Sequence, residues 1–192
     1  MRCMSRVLAF LVLLCGATPW ALAQDPFVAF GSRDYAAALA GFQALAAQGN
    51  PNAMNNLGLM YANGLGVPRD DAVAVKWYGQ AAAVGHIDAI NNLGGMYEMG
   101  YGVPQNYASA AEKYALAAKY GSSDAQYNLA ALYESGKGVP NDALQAYIWY
   151  SLSAAQGDQD AAAGRGRMAE LLDPTLRGQA DTFVTAWKPG RN

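Results

Sequence analysis

The 192-residue chain has little of the chemistry that catalysis and metal binding use. It contains one histidine, His86, and two cysteines, Cys3 and Cys15, which both lie near the N-terminus. A zinc site needs several Cys or His ligands, and a cysteine nucleophile needs a basic partner. The composition therefore favours a non-enzymatic protein with no metal and no cofactor.

Clusters of positive charge are also missing. The chain has 13 Lys and Arg against 15 Asp and Glu, a formal net charge of −2. Nucleic-acid phosphates and anionic membrane surfaces are bound by grouped Lys and Arg side chains. We therefore expect no nucleic-acid partner and no binding to a membrane surface.

A hydrophobic run long enough to span a membrane is absent as well. The apolar stretch from Val7 to Cys15 follows Arg2 and Arg6 and precedes the small-residue motif Ala21-Leu22-Ala23. This is the pattern of a secretory signal peptide, and a membrane span needs about 20 apolar residues. The sequence predicts a signal peptide over residues 1–23, export to the periplasm or out of the cell, and no membrane insertion after cleavage.

The predicted mature chain has no sulfhydryl group, because both cysteines lie in the leader. Its 169 residues suffice for one domain, and no disulfide bond can stabilise it. Loss of Arg2 and Arg6 leaves 11 basic and 15 acidic residues, a formal charge of −4.

What the sequence does contain is a 36-residue repeat. Asn56-Leu57-Gly58 recurs as Asn92-Leu93-Gly94 and Asn128-Leu129-Ala130, and each copy is followed by a Tyr and a Gly-x-Gly-Val-Pro segment. A fixed period without insertions predicts a stack of similar units. The predicted division is a partial repeat at 24–49, repeats at 50–85, 86–121 and 122–157, and a C-terminal partial repeat with a capping helix at 158–192.

Each repeat is predicted to form two helices. Asn50 is a predicted N-cap, Pro51 begins the first helix, and Gly64 follows its predicted end at Asn63. The predicted buried stripe of this helix is Ala53, Leu57, Met60 and Tyr61.

The second helix is predicted to begin after Asp70, with Asn106 and Asp142 as the later equivalents. Its predicted apolar face is Ala74, Trp77, Tyr78, Ala81 and Ala82, and we expect the recurring aromatic residues to be core. Gly58 on the first helix predicts a close approach of the second helix, because glycine there costs about 1 kcal/mol relative to alanine. The Gly-x-Gly segment follows a helix and lacks a Lys-Ser/Thr pair, so it is not a nucleotide-binding loop.

These residues resemble the Sel-one-like repeat, a longer-looped relative of the tetratricopeptide repeat. The matching pattern is A-x-x-N-L-G-x-x-Y-x-x-G-x-G-V-x-x-D, followed by A-x-x-W and A-A-x-x-G. The resemblance implies an all-α fold, a right-handed α/α superhelix of stacked helical hairpins. The resemblance extends to both flanks of the three repeats. Residues from Asp34 to Gly49 resemble the second helix of a degenerate first repeat, and residues from Asp160 to Leu172 resemble the first helix of a last repeat. A terminal helix after Asp173-Pro174 is expected to cover the open end of the stack.

In such stacks the first helices line a concave groove, and the groove residues are the candidate partner-binding site. The aligned asparagines Asn56, Asn92 and Asn128 could hydrogen-bond an extended peptide, since each amide both donates and accepts. Alternatively, they satisfy loop or helix-end groups in the neighbouring repeat. Exposed residues that break the repeat symmetry are candidates for specificity, and Tyr101 stands in a loop as a possible anchor. The candidate residues are Asn55, Asn56, Asn91, Asn92, Tyr127, Asn128, Glu98, Glu134 and Tyr101.

The resemblance implies an envelope adaptor or regulator that binds a protein or peptide, for example a membrane sensor or a cell-wall protein. The alternatives are a protein that binds glycans or cell-wall fragments, and one delivered out of the cell to a host. Some cysteine-rich relatives have been described as binding or hydrolysing β-lactams, but no Ser-x-x-Lys nucleophile pair occurs here. His86 is expected to cap a helix, and Asp70-Asp71 to provide a cap and a solvated charge, so no catalytic residue is assigned.

Overall fold

The computed structural model describes residues 25–190. The predicted signal peptide at 1–23 lies outside the described residues. Between residues 25 and 190 the chain forms ten α-helices and no β-strand. None of these helices combines the length and hydrophobicity needed to cross a membrane. The helices are α1 (Pro26–Gly31), α2 (Tyr35–Ala47), α3 (Pro51–Asn63), α4 (Asp71–Ala83), α5 (Ile87–Met99), α6 (Tyr107–Lys119), α7 (Ser123–Ser135), α8 (Ala143–Ala154), α9 (Gln159–Leu171) and α10 (Pro174–Ala186).

Consecutive helices pack as hairpins, and the hairpins stack in chain order. The pairs α3 with α4, α5 with α6 and α7 with α8 form the three repeats. Contacts of α4 with α5 and of α6 with α7 join one repeat to the next. The prediction of an all-α repeat solenoid is confirmed. The short helix α1, which the repeat pattern did not predict, packs on α2.

Side-chain caps begin the first helix of every pair. Asn50, His86, Ser122 and Asp158 each accept the backbone N–H three residues later, at 3.0 to 3.3 Å. These bonds satisfy N–H groups that have no partner inside the helix. Because the predicted caps are the observed ones, α3 has the predicted bounds of Pro51 and Asn63.

The second glycine of each Gly-x-Gly segment is a contact point between repeats. A Cβ atom at Gly102 would overlap the backbone carbonyl of Asp71, and one at Gly138 would overlap that of Tyr107. Each loop therefore rests on the start of the second helix of the preceding repeat. This contact, together with a positive φ, explains the glycine without any phosphate ligand.

The rings of the buried tyrosines pack directly on glycines of the first helices. A Cβ atom at Gly58 would lie 2.6 Å from the ring of Tyr78, and one at Gly94 would lie 2.7 Å from that of Tyr114. The predicted close approach at Gly58 is thus confirmed. Tyr150 instead comes within 2.7 Å of the Cβ position of Gly164 in α9.

The terminal helix α10 has its main contact with α8. Tyr147 of α8 donates its hydroxyl hydrogen to Asp181 of α10 at 2.7 Å, and Gly190 then donates its N–H to Lys119 O at 2.9 Å. The terminal helix therefore packs on the second helix of the last full repeat, and its role as a cover of the open end of the stack stays a prediction. Leu144, Ile148 and Trp149 of α8 line one cavity together with Leu176, Ala180 and Phe183 of α10.

Candidate partner-binding groove

The first helices α3, α5 and α7 are joined by pairs of asparagines. Asn92 Nδ2 donates to Asn55 Oδ1 at 3.1 Å, and Asn128 Nδ2 donates to Asn91 Oδ1 at 3.2 Å. All four side chains are partly buried. The helix surface on which these asparagines lie is called the groove below.

The asparagine pairs satisfy one another across neighbouring repeats through their side chains, and not through the loop or helix-end groups that the alternative interpretation named. An asparagine amide has two donor hydrogens and two acceptor lone pairs. Across residues 25–190, Asn92 and Asn128 each use one donor hydrogen in these pairs and make no other side-chain hydrogen bond. Asn56 behaves differently, because its amide donates to Asn52 O of its own helix at 2.8 Å.

A cavity of about 310 Å³ opens in this groove. Asn91, Asn92 and Asn128 line it together with Tyr101, so four of the nine sequence candidates meet there. The sequence candidates outside the lining are Asn55, Asn56, Glu98, Tyr127 and Glu134.

Two exposed side chains give the cavity an apolar rim. Met99 is 57% exposed at the end of α5, and Tyr101 is 47% exposed in the following loop. The guanidinium of Arg69 lies 5.1 Å from the Tyr101 ring centroid, a cation–π distance. Arg69 also forms two 2.9 Å bonds to the carboxylate of Asp71, which hold it beside the loop.

The two glutamates are engaged with tyrosine hydroxyls. Tyr114 Oη donates to Glu98 at 2.8 Å and Tyr150 Oη donates to Glu134 at 2.6 Å. Burial, followed by these glutamates, raises the pKa of both tyrosines well above the ordinary value. Arg167 donates two 2.9 Å bonds to Glu134, and these bonds are the main cause that lowers the pKa of Glu134, with Tyr150 adding to it.

Tyr127 packs into the stack. Its ring centroid lies 5.6 Å from that of Tyr150 with a tilted geometry, which is favourable for aromatic pairs. The symmetry break at this position therefore serves aromatic packing on Tyr150.

The cavity also contains residues that the sequence argument had assigned to the core. Tyr78 is only 3% exposed, yet it lines the cavity, as does Tyr114. The repeat alignment held a signal for Tyr78: alanine occupies position 62, where the later repeats have Glu98 and Glu134.

The titratable residues considered for catalysis have structural roles. His86 Nδ1 accepts the N–H of Ala89 at 3.2 Å, and His86 Nε2 lies 2.9 Å from Asn52 Oδ1. Asp70 accepts the N–H of Val73 at 2.9 Å and caps α4. In the described part of the chain, no group of His, Cys, Asp and Glu side chains could hold a metal ion.

Three consecutive segments, residues 51–86, 87–122 and 123–158, match the family described as Sel1 repeat. The chain belongs to the Sel1 repeat family. Sel1 repeats generally act as protein-interaction scaffolds, and members of the family are typically non-catalytic. Protein binding is therefore the general function of the stack described above.

Two solved structures resemble this Sel1 repeat protein. A Sel1 repeat protein from Oxalobacter formigenes is 30% identical with a TM-score of 0.74, over 85% of this chain and 70% of that one. A protective antigen of uropathogenic Escherichia coli strains, which displays an SLR fold, is 35% identical with a TM-score of 0.69. That match covers 78% of this chain and 33% of the antigen, so this chain spans about a third of the antigen's length. The comparison with curated proteins gave no match.

Proposed function

We propose that this Sel1 repeat protein is an exported, non-catalytic adaptor or regulator that binds a protein or peptide in the groove. The observation that carries the proposal is the cavity where asparagine amides meet the exposed side chains of Met99 and Tyr101. Binding an extended peptide takes donors and acceptors for its backbone and apolar anchors for its side chains. The groove offers both within one cavity.

The surroundings of Tyr101 favour a peptide over a glycan or cell-wall fragment. A sugar ring stacks on an open aromatic face, but Arg69 lies over the Tyr101 ring at 5.1 Å from its centroid. The other aromatic side chains of the lining, Tyr78 and Tyr114, are buried, and its more accessible apolar side chains, Leu59 and Met99, are non-aromatic. Such side chains suit contacts with the side chains of a partner.

The envelope of a bacterial cell is the proposed location. The leader pattern at residues 1–23 supports export, and both similar solved proteins come from bacteria. In that compartment the protein would hold the sensory domain of a membrane protein or serve as a scaffold near cell-wall machinery.

The test is an affinity pull-down from envelope extract with three baits that begin at Gln24. The baits are the wild type, the groove variant Met99→Ala/Tyr101→Ala, and the control Leu116→Ala/Tyr120→Ala. The control removes exposed side chains of similar size from α6 and its C-cap, away from the cavity. These substitutions leave the asparagine pairs intact, whereas changes at Asn92 and Asn128 would also weaken repeat stacking.

The expected result is a protein that the wild type and the control retain and the groove variant loses. Affinity measured with the purified partner should fall by at least about tenfold in the groove variant, since aromatic anchors dominate such interfaces. Equal retention by all three baits, or no retention, would contradict binding in this groove.

A further inference from the structure

The first repeat contains a buried tyrosine without the glutamate that accompanies it elsewhere. In the second and third repeats, the tyrosine hydroxyl donates to a glutamate sixteen residues earlier: Tyr114 to Glu98 at 2.8 Å and Tyr150 to Glu134 at 2.6 Å. Sixteen residues before Tyr78 the chain has Ala62, which has no polar side chain. The donor is thus conserved in position within the stack, and its acceptor is missing from one repeat.

Tyr78 is one of the residues that line the groove cavity. Its hydroxyl makes no hydrogen bond within residues 25–190, although every fully buried side-chain nitrogen and oxygen there has a partner. The hydroxyl is therefore reached by solvent, and Tyr78 reaches solvent where it lines the 310 Å³ cavity. Burial raises the pKa of Tyr78 to about 12, so the group is a protonated donor at neutral pH.

The surroundings of this hydroxyl fit a negatively charged acceptor. The amides of Asn92 and Asn128 line the same cavity and retain donor hydrogens. Glu98, an acidic group of the neighbouring repeat, would lie one repeat away from the new charge. The stack already holds Glu98 and Glu134 at that separation, and salt screens charges over about 8 Å.

From this missing acceptor we infer that the groove partner carries an aspartate or glutamate whose carboxylate enters the cavity and accepts a hydrogen bond from the Tyr78 hydroxyl. The inference rests on the proposed groove-binding function and identifies one chemical feature of the partner. An ionised carboxylate only accepts hydrogen bonds, so it can accept from the Tyr78 hydroxyl and from the remaining amide hydrogens of Asn92 and Asn128. Such charge-assisted bonds are stronger than bonds to a neutral carbonyl.

The missing acceptor at position 62 can be tested without a partner. Ala62→Glu restores the pattern of the later repeats, and Ala115→Glu makes the same charge change on the exposed side of α6. Ala62→Glu should raise the thermal unfolding midpoint relative to Ala115→Glu, and the gain should disappear in a Tyr78→Phe background. Independent effects of Ala62→Glu and Tyr78→Phe would overturn the inferred geometry.

The partner chemistry is tested with short random peptides selected by display on the mature protein. Each selected peptide is then synthesised with its Asp and Glu residues replaced singly by Asn and Gln, and affinities are measured by fluorescence anisotropy. One replacement should weaken binding about tenfold, and Tyr78→Phe should cause a similar loss and remove the difference between acid and amide. Ala62→Glu should compete with the acidic residue, whereas Ala115→Glu should bind as the wild type does.

The outcomes separate this inference from the proposed function. Peptides that bind equally as acid and amide, yet are lost in Met99→Ala/Tyr101→Ala, would overturn the carboxylate and keep the groove as a binding site. If no selected peptide depends on Met99 and Tyr101, both the groove function and the carboxylate are contradicted.

Discussion

Among single residues, Glu134 has the most connected side chain of the groove helices. It accepts one bond from Tyr150 at 2.6 Å and two from Arg167 at 2.9 Å, and so links α7 with α8 and α9. The Arg167 side chain is more than half exposed, which weakens the ion pair through solvent screening. The tyrosine bond is better shielded, because Tyr150 is buried.

We expect Glu134→Gln to lower stability in a pH-dependent way. The folded pKa of Glu134 is lowered, so the carboxylate contributes stability above its unfolded pKa and loses it as pH falls through the folded value. The variant should be less stable by about 1 kcal/mol at pH 7, because Gln still accepts from Tyr150 but carries no charge. Urea unfolding between pH 7 and pH 3 measures both proteins, and the difference should shrink on acidification.

Glu170→Gln is the matched control, because it makes the same change at an exposed position of α9. A difference between wild type and Glu134→Gln that stays constant from pH 7 to pH 3 would contradict the assigned role of the charge.

At the scale of the helices and their loops, glycines determine how closely one element approaches another. The second glycine of the loop after α5, Gly102, has φ +69° and rests against the backbone of Asp71. Gly85, after α4, has φ +84° but no atom within 4 Å of its Cβ position. The two positions share the left-handed backbone and differ in their contacts.

Alanine substitutions at Gly85 and Gly102 are therefore expected to lower the free energy of unfolding by different amounts. Gly85→Ala should destabilise the protein by about 1–2 kcal/mol, the price of a left-handed alanine. Gly102→Ala should cost about 3 kcal/mol or more, since overlap with the Asp71 backbone adds to that strain. Chemical denaturation of both variants measures the difference, and equal losses would show that the loop does not hold neighbouring repeats together.

Much of the arrangement of helices and loops could be predicted from the sequence, because helix caps depend on local chemistry. The caps Asn50, His86, Ser122 and Asp158 follow from residue type and the repeat register. The contact of α10 with α8 could not be predicted from the sequence, because an N-cap and an apolar spacing do not determine which neighbouring helix a helix packs on. The location of α10 depends on which neighbour offers an apolar surface, a property of the assembled stack.

For the whole molecule, the stack is held together by contacts between neighbours. From α1 to α9 each helix contacts its neighbours in the chain, and α10 contacts α8. The asparagine pairs join residues 37 positions apart. Stability in such a chain is close to a sum of repeat and nearest-neighbour terms. Removing one complete repeat should therefore leave a shorter stack of the same kind.

We expect deletion of residues 87–122 to give a folded protein. The deletion joins His86 to Ser123, so that His86 takes the capping role of Ser122 and Asn55 meets Asn128 as it met Asn92. The free energy of unfolding should fall by about 2–5 kcal/mol, in proportion to the 36 residues lost. Circular dichroism and urea unfolding measure the outcome.

Deletion of residues 87–104 is the control, since it removes only α5 and its loop and brings two second helices together. It should lose cooperative unfolding. A 36-residue deletion that unfolds as badly as this half-repeat deletion would contradict the nearest-neighbour description of the stack.

The sequence alone determined the repeat, its caps, the bounds of α3 and the all-α solenoid, because those depend on period and local hydrogen bonding. It also selected the asparagines and Tyr101 as groove residues. Only the tertiary structure decided that the asparagines pair across repeats, that Glu98 and Glu134 are taken by tyrosines, and that Tyr78 lines a cavity. These outcomes depend on which side chains meet when hairpins stack, and the distances between repeats are set by packing that no single repeat contains.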